Sequence, residues 1–98
     1  MADERRRDER VKVNLAARWD GMSGPHEARI EVISLGGCFV NTSQGVEIDE
    51  VISLDIRLPS GEWLRLRGEV ASQQPGLGFG LLFTFLTQDE EQALRELF

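Results

Sequence analysis

Five of the six strand-like stretches in this chain place apolar side chains at every second position, and that period decides the fold class. A strand points successive side chains to opposite faces, whereas a helix needs apolar residues three and four apart. From 11 to 19, Val11, Val13, Leu15, Ala17 and Trp19 share one face, with Lys12, Asn14 and Arg18 on the other. Residues 27–34 repeat the pattern, with Ala28, Ile30 and Val32 inward against Arg29 and Glu31. Cys38-Phe39-Val40 forms a short third strand. Ile52, Leu54, Ile56 and Leu58 make the inner face of 51–58, and Leu64, Leu66 and Val70 that of 63–71. The sixth stretch, 77–86, is the most apolar, with Phe79, Leu81, Phe83 and Phe85 opposite Gly78 and Gly80. Glycines there permit sharp bending or close backbone approach, as a small closed barrel requires.

Turn residues separate these stretches. Asp20–Pro25 reads as a loop, Thr42–Glu50 as a polar connection, Pro59-Ser60-Gly61 as a hairpin turn, and Gln73–Gly76 as a further reversal. The pair Gly36-Gly37 marks either a turn that needs positive φ or a backbone that something approaches closely. Thr87-Gln88-Asp89-Glu90 matches a helix capping box, and Ala93, Leu94, Leu97 and Phe98 line one side of the helix that follows. That helix is too short to stand alone in water, so it packs on the strands. The expected fold is all-β: a small six-stranded antiparallel β-barrel with one C-terminal helix. The 98 residues hold a single domain, divided into an arm at 1–10, a barrel at 11–86 and a helix at 87–98.

The arm carries the chain's strongest chemical signal. Arg5, Arg6, Arg7 and Arg10 are four of ten arginines, and Lys12 is the only lysine. Guanidinium forks make two-pronged contacts with phosphate and read the O6/N7 edge of guanine. Such an arm either closes over an anionic, guanine-bearing ligand or is a solvated tail, flexible because it has no apolar residue after Met1 and Ala2. A net charge of −6 argues against a general nucleic-acid surface, so any anion site is local. No apolar run approaches the roughly 20 residues of a membrane helix, so no membrane insertion is expected. The single cysteine, Cys38, leaves no internal disulfide and fits a cytoplasmic setting.

Catalytic chemistry is not legible. His26, the only histidine, reads as surface decoration in a loop without a companion. Cys38 has no histidine or second cysteine near it and reads as a small buried apolar residue. Trp63 on an outward face either stacks on a ligand or is partly covered by arginine stems. Neither a metal site nor an enzyme is expected.

Arg6-x-x-x-Arg10 before the first strand, Ser34-Leu35-Gly36-Gly37 after the second, Gly76-Leu77-Gly78-Phe79-Gly80 late in the chain and the closing helix together resemble the PilZ domain family. The resemblance covers nearly the whole chain. It implies a bacterial receptor for the second messenger cyclic di-GMP, bound by an Arg-x-x-x-Arg arm and an Asp-or-Asn-x-Ser-x-x-Gly turn. On this sequence Arg6 and Arg10 match the arm, with Arg5 and Arg7 beside them as further candidate contacts. Ser34 and Gly37 match the turn, and Gly36 lies within it. Val32 stands where the family carries Asp or Asn, and Ser72 lies near where many members place Trp or Arg. The resemblance implies cyclic di-GMP as ligand with no cofactor, and an unidentified protein effector that reads a switched surface. The alternative is a degenerate member that has lost the nucleotide and serves as a protein–protein adaptor.

Overall fold

The computed structural model describes residues 9–98. Six strands follow in order: β1 (Val11–Gly21), β2 (Gly24–Ile33), β3 (Gly37–Asn41), β4 (Val51–Arg57), β5 (Trp63–Gln74) and β6 (Gly78–Phe83). They close into an antiparallel barrel in the order β1-β2-β3-β6-β5-β4. The helix α1 (Gln88–Arg95) comes last.

Alternation becomes burial much as the sequence implies. Trp19, Ile30, Leu54, Ile56, Leu66 and Phe79 are buried in one cluster inside the barrel. Trp19 meets Phe79 edge-on, with ring centroids 5.2 Å apart, a favoured aromatic geometry. Leu94 of α1 is fully buried in the same cluster, with Leu86 and Leu97 partly buried beside it, so the helix seals one mouth of the barrel. The capping box that starts it is complete. The Glu90 amide donates to the Thr87 hydroxyl, and the Thr87 amide donates to the Glu90 carboxylate.

Four local expectations need correction. The loop at Asp20–Pro25 shrinks to Met22-Ser23, because Gly24 (φ 98°) supplies the turn conformation and β1 and β2 run on to Gly21 and Gly24. His26 is half-buried, not decoration: its ring lies 4.5 Å from that of Trp19, and its Nε2 is 2.8 Å from the Ser23 hydroxyl. The sixth strand stops at Phe83, after which the chain leaves the sheet; Phe85 is 87% exposed, with φ at +52°. Val32 does not extend the core. A bulge between Ile30 and Val32 shifts the pairing with β3, so Ile33 takes the inward place and Val32 turns out. An extra residue inverts parity, which no count of alternate positions reveals.

Trp63 lies on the outer wall. The Arg18 guanidinium sits 4.1 Å above its ring and that of Arg57 5.9 Å away. Arginine cover is therefore what the ring receives.

Candidate functional site

The groove on the outer wall is built from a row of residues that pairs across four strands. Val32 of β2 faces Phe39 of β3, Phe39 faces Gly80 of β6, and Gly80 faces Ser72 of β5. Two bulges flank this row, one at Ile30/Val32 and one at Val70/Ser72. Bulges bend a strand and re-aim its side chains, and they gather beside functional sites. Here they turn Val32 and Ser72 onto the outer surface at either end of the row. Gly80 adds no side chain to the middle of the floor, where the Ser72 hydroxyl takes the place a Cβ would fill. Above it opens a groove of about 450 Å³.

One wall is the turn between β2 and β3. The Ser34 amide donates to the Gly37 carbonyl at 2.8 Å, and the Gly36 and Gly37 amides each lie 3.2 Å from the Ser34 hydroxyl. Ser34 therefore folds the turn, and its oxygen is occupied by two backbone donors. Neither glycine takes a positive φ. Gly37 instead satisfies the second expectation: a Cβ there would strike the Leu81 carbonyl oxygen, so the backbone that comes close is β6. The Gly36 carbonyl in turn accepts from the Phe83 amide at 2.9 Å and pins the turn to the end of β6.

Gln74 and Leu82 also line the groove, Leu82 directly across from Gly37 in the β3–β6 pairing, and Arg10 joins them from just before β1. Arg10 is exposed, and no described residue forms an ion pair with it. Among the described residues it is the only charged side chain lining the groove. A cation without a carboxylate gives the groove a local positive charge in a chain of net charge −6. Cys38 also borders the groove, but burial pushes its thiol well above the ordinary value and leaves it unreactive. Among the described residues, no group of three histidine, cysteine, aspartate or glutamate side chains could hold a metal ion. No described helix is long and apolar enough to cross a membrane.

Of the residues singled out in the sequence, Arg10, Val32, Ser34, Gly36 and Gly37 come together here. Arg5, Arg6 and Arg7 lie outside the described residues, as does most of the arm assigned to 1–10. Sequence reasoning missed the floor. Phe39 appeared only as a strand residue, and its place beside Gly80 depends on a pairing between distant strands that local pattern does not reveal.

A family model described as the PilZ domain matches residues 4–98. The chain belongs to the PilZ domain family. Solved structures agree on the fold of this PilZ domain. The PilZ domain of CeSA from a cellulose synthesizing bacterium superposes with a TM-score of 0.73 at 19% identity, over 91% of this chain and 93% of that one. YcgR from Escherichia coli, solved in complex with c-di-GMP, gives 0.75 at 10% identity over 91% of this chain and 42% of its own. PlzA from Borreliella burgdorferi, also in complex with c-di-GMP, gives 0.65 at 18%, covering 92% and 39%. The chain thus spans less than half the length of those two proteins. No curated protein sequence matches it.

Proposed function

We propose that this PilZ domain is a cytoplasmic bacterial receptor that takes cyclic di-GMP in the groove beside Arg10. The observation that carries the reading is the charge pattern: one unpaired arginine and no carboxylate among the described lining residues. Arg10 contacts a phosphate or a guanine edge, and Arg5, Arg6 and Arg7 supply further guanidiniums from the segment ahead of it. A guanine lies over Gly80, which carries no side chain of its own, between the Ser72 hydroxyl and the ring of Phe39. Ser34 acts through the turn it folds, while Gly36 and Gly37 keep that wall thin. The role is binding rather than catalysis, and occupancy alters a surface read by a protein partner. The solved complexes of YcgR and PlzA with c-di-GMP support the choice of ligand.

Val32 favours a second reading. It faces the groove where a carboxylate or carboxamide would accept from a guanine, and it has no such acceptor. A domain that has lost the nucleotide and works as an adaptor is consistent with that position. Calorimetric titration with cyclic di-GMP, with cyclic di-AMP as control, separates the two. Saturable heat from the guanine ligand alone is expected; silence with both ligands leaves the adaptor.

A further inference from the structure

Phe85 has the highest exposure among the large apolar side chains of the described residues. It is also one of two non-glycine residues there with positive φ, a conformation that bulky residues adopt only when their surroundings enforce it. The enforcing contacts are specific. Arg67 donates from Nη2 to the Phe85 carbonyl at 2.9 Å, and its own carbonyl accepts from the Thr84 amide at 2.8 Å. Its guanidinium is held at 3.0 Å by Glu90, which the capping box fixes in place. Leu86, the next residue, packs against the core. These contacts anchor the backbone on both sides of the ring and leave the ring in water.

The same face carries more apolar surface. Arg67 rises from the outer wall of β5, and Glu69 follows two positions on. Glu69 pairs with Val51 on one side and Leu82 on the other, and these two are 67% and 58% exposed. Asp89 lies in the first turn of α1, four residues past Phe85. The nearby charges divide unevenly. Arg67 is neutralised by Glu90, and Arg95 by Glu91 one turn along the helix. Glu69 and Asp89 have no ion pair with a described residue. Apart from Arg10, which lines the groove that Leu82 also borders, the face is therefore apolar and negative.

We propose that Phe85, Leu82 and Val51, set around Glu69, dock a basic amphipathic segment of a partner protein, whose apolar side covers the ring while its lysines or arginines meet Glu69 and Asp89. Charge selects this occupant: an acidic partner, or a second copy of this acidic chain, sets carboxylate against carboxylate. The face is wired to the groove through the Phe83 amide and Gly36 carbonyl, so a ligand that moves the turn moves the segment carrying Phe85. Only this coupling rests on the cyclic di-GMP reading; the docking chemistry does not.

The test uses a synthetic helical peptide of leucine and lysine, and its leucine–glutamate counterpart, followed by amide chemical shifts of the whole chain. The lysine peptide is expected to perturb Glu69 and Leu82–Phe85, and the glutamate peptide to leave them unmoved. Phe85→Asn removes the ring while keeping a residue that tolerates positive φ, and Glu69→Lys reverses the charge. Each is expected to weaken the lysine peptide about ten-fold or more, and Phe85→Asn to do so without changing cyclic di-GMP affinity. No binding, a footprint elsewhere, equal binding of both peptides, or indifference to both variants overturns the proposal. So does self-association on sedimentation that Phe85→Asn abolishes, which would make the face a contact between copies. If cyclic di-GMP gives no heat while the peptide results hold, the receptor reading falls and the docking face stands.

Discussion

Gly37→Ala separates two uses of a glycine that the sequence could not tell apart. Its φ is not left-handed, so alanine meets no backbone strain at this position. The obstacle is β6. A Cβ on Gly37 runs into the Leu81 carbonyl oxygen and also lies 3.2 Å from the Leu81 carbonyl carbon and 3.3 Å from the Leu82 Cα. All three are backbone atoms, so no side chain can swing aside and the two strands must part. Overpacking of this kind costs ~1–3 kcal/mol. Loosening the end of the β3–β6 ladder and the Phe83–Gly36 bond adds ~0.5–1.5 kcal/mol for each weakened hydrogen bond. The expected loss is about 2–4 kcal/mol. At ~4–8 °C for each kcal/mol in a domain of this size, Tm falls by at least about 8 °C. Urea unfolding followed by circular dichroism gives the free energy directly, with no ligand present. An unchanged midpoint combined with lost cyclic di-GMP affinity would show that the glycine serves the ligand, and the packing argument would be wrong.

Arg10→Ala is expected to weaken cyclic di-GMP by ~1.5–3 kcal/mol, the range for charged hydrogen bonds, with Tm unchanged because the side chain is exposed; calorimetry and a melt on the same sample check both halves. Val32→Asn restores an acceptor in the groove and is expected to tighten the ligand about ten-fold, one factor per ~1.4 kcal/mol; measurable wild-type binding with no gain places Val32 away from the guanine. Acid is expected to destabilise the fold through Glu90 and Asp55. The Thr87 amide, with help from Arg67, holds the Glu90 carboxyl below its ordinary value, and the Arg65 hydrogen bond does the same for Asp55. A depressed carboxyl stabilises fully above its unfolded-state pKa and loses that contribution as pH falls through the lower folded-state value, so stability declines from about pH 5 downward. Glu90→Gln is expected to cost about 1 kcal/mol at pH 7 and progressively less toward pH 3, a convergence that urea midpoints across that range will show.

The class of fold was legible because burial follows parity: Leu15, Ala17 and Trp19, then Ile52, Leu54 and Ile56, are buried at alternate positions. So was the start of the helix, since a capping box is written in four consecutive residues. What stayed hidden depends on contacts between distant segments. The bulge at Ile30/Val32 is a matter of how β2 meets β3, and it moved Val32 from the core to the groove. Phe85 continued the alternation of Phe79, Leu81 and Phe83 in the sequence. Only its carbonyl contact with Arg67, from another strand, shows why the chain turns away there. On the groove side, the turn residues could be read from local motif, but the floor of Phe39, Gly80 and Ser72 required the strand order.

That strand order has a kinetic consequence. Neighbours β1-β2-β3 are joined in sequence, and so are β4-β5-β6, which makes the barrel two three-stranded meanders. Their hairpins are local and can zip in microseconds. Two seams then unite them: five residue pairs between β3 and β6, and four between β1 and β4. Both seams join segments far apart along the chain, and the loop-closure entropy of bringing them together sets the folding rate. The barrel thus emerges when two preformed halves dock, with 42–50 as the only covalent link between them. Such a link is also a hinge for domain swapping, because each half can complete the other half of a second chain with the same contacts. A 42–50 connection cut too short to span the two meanders forces that exchange.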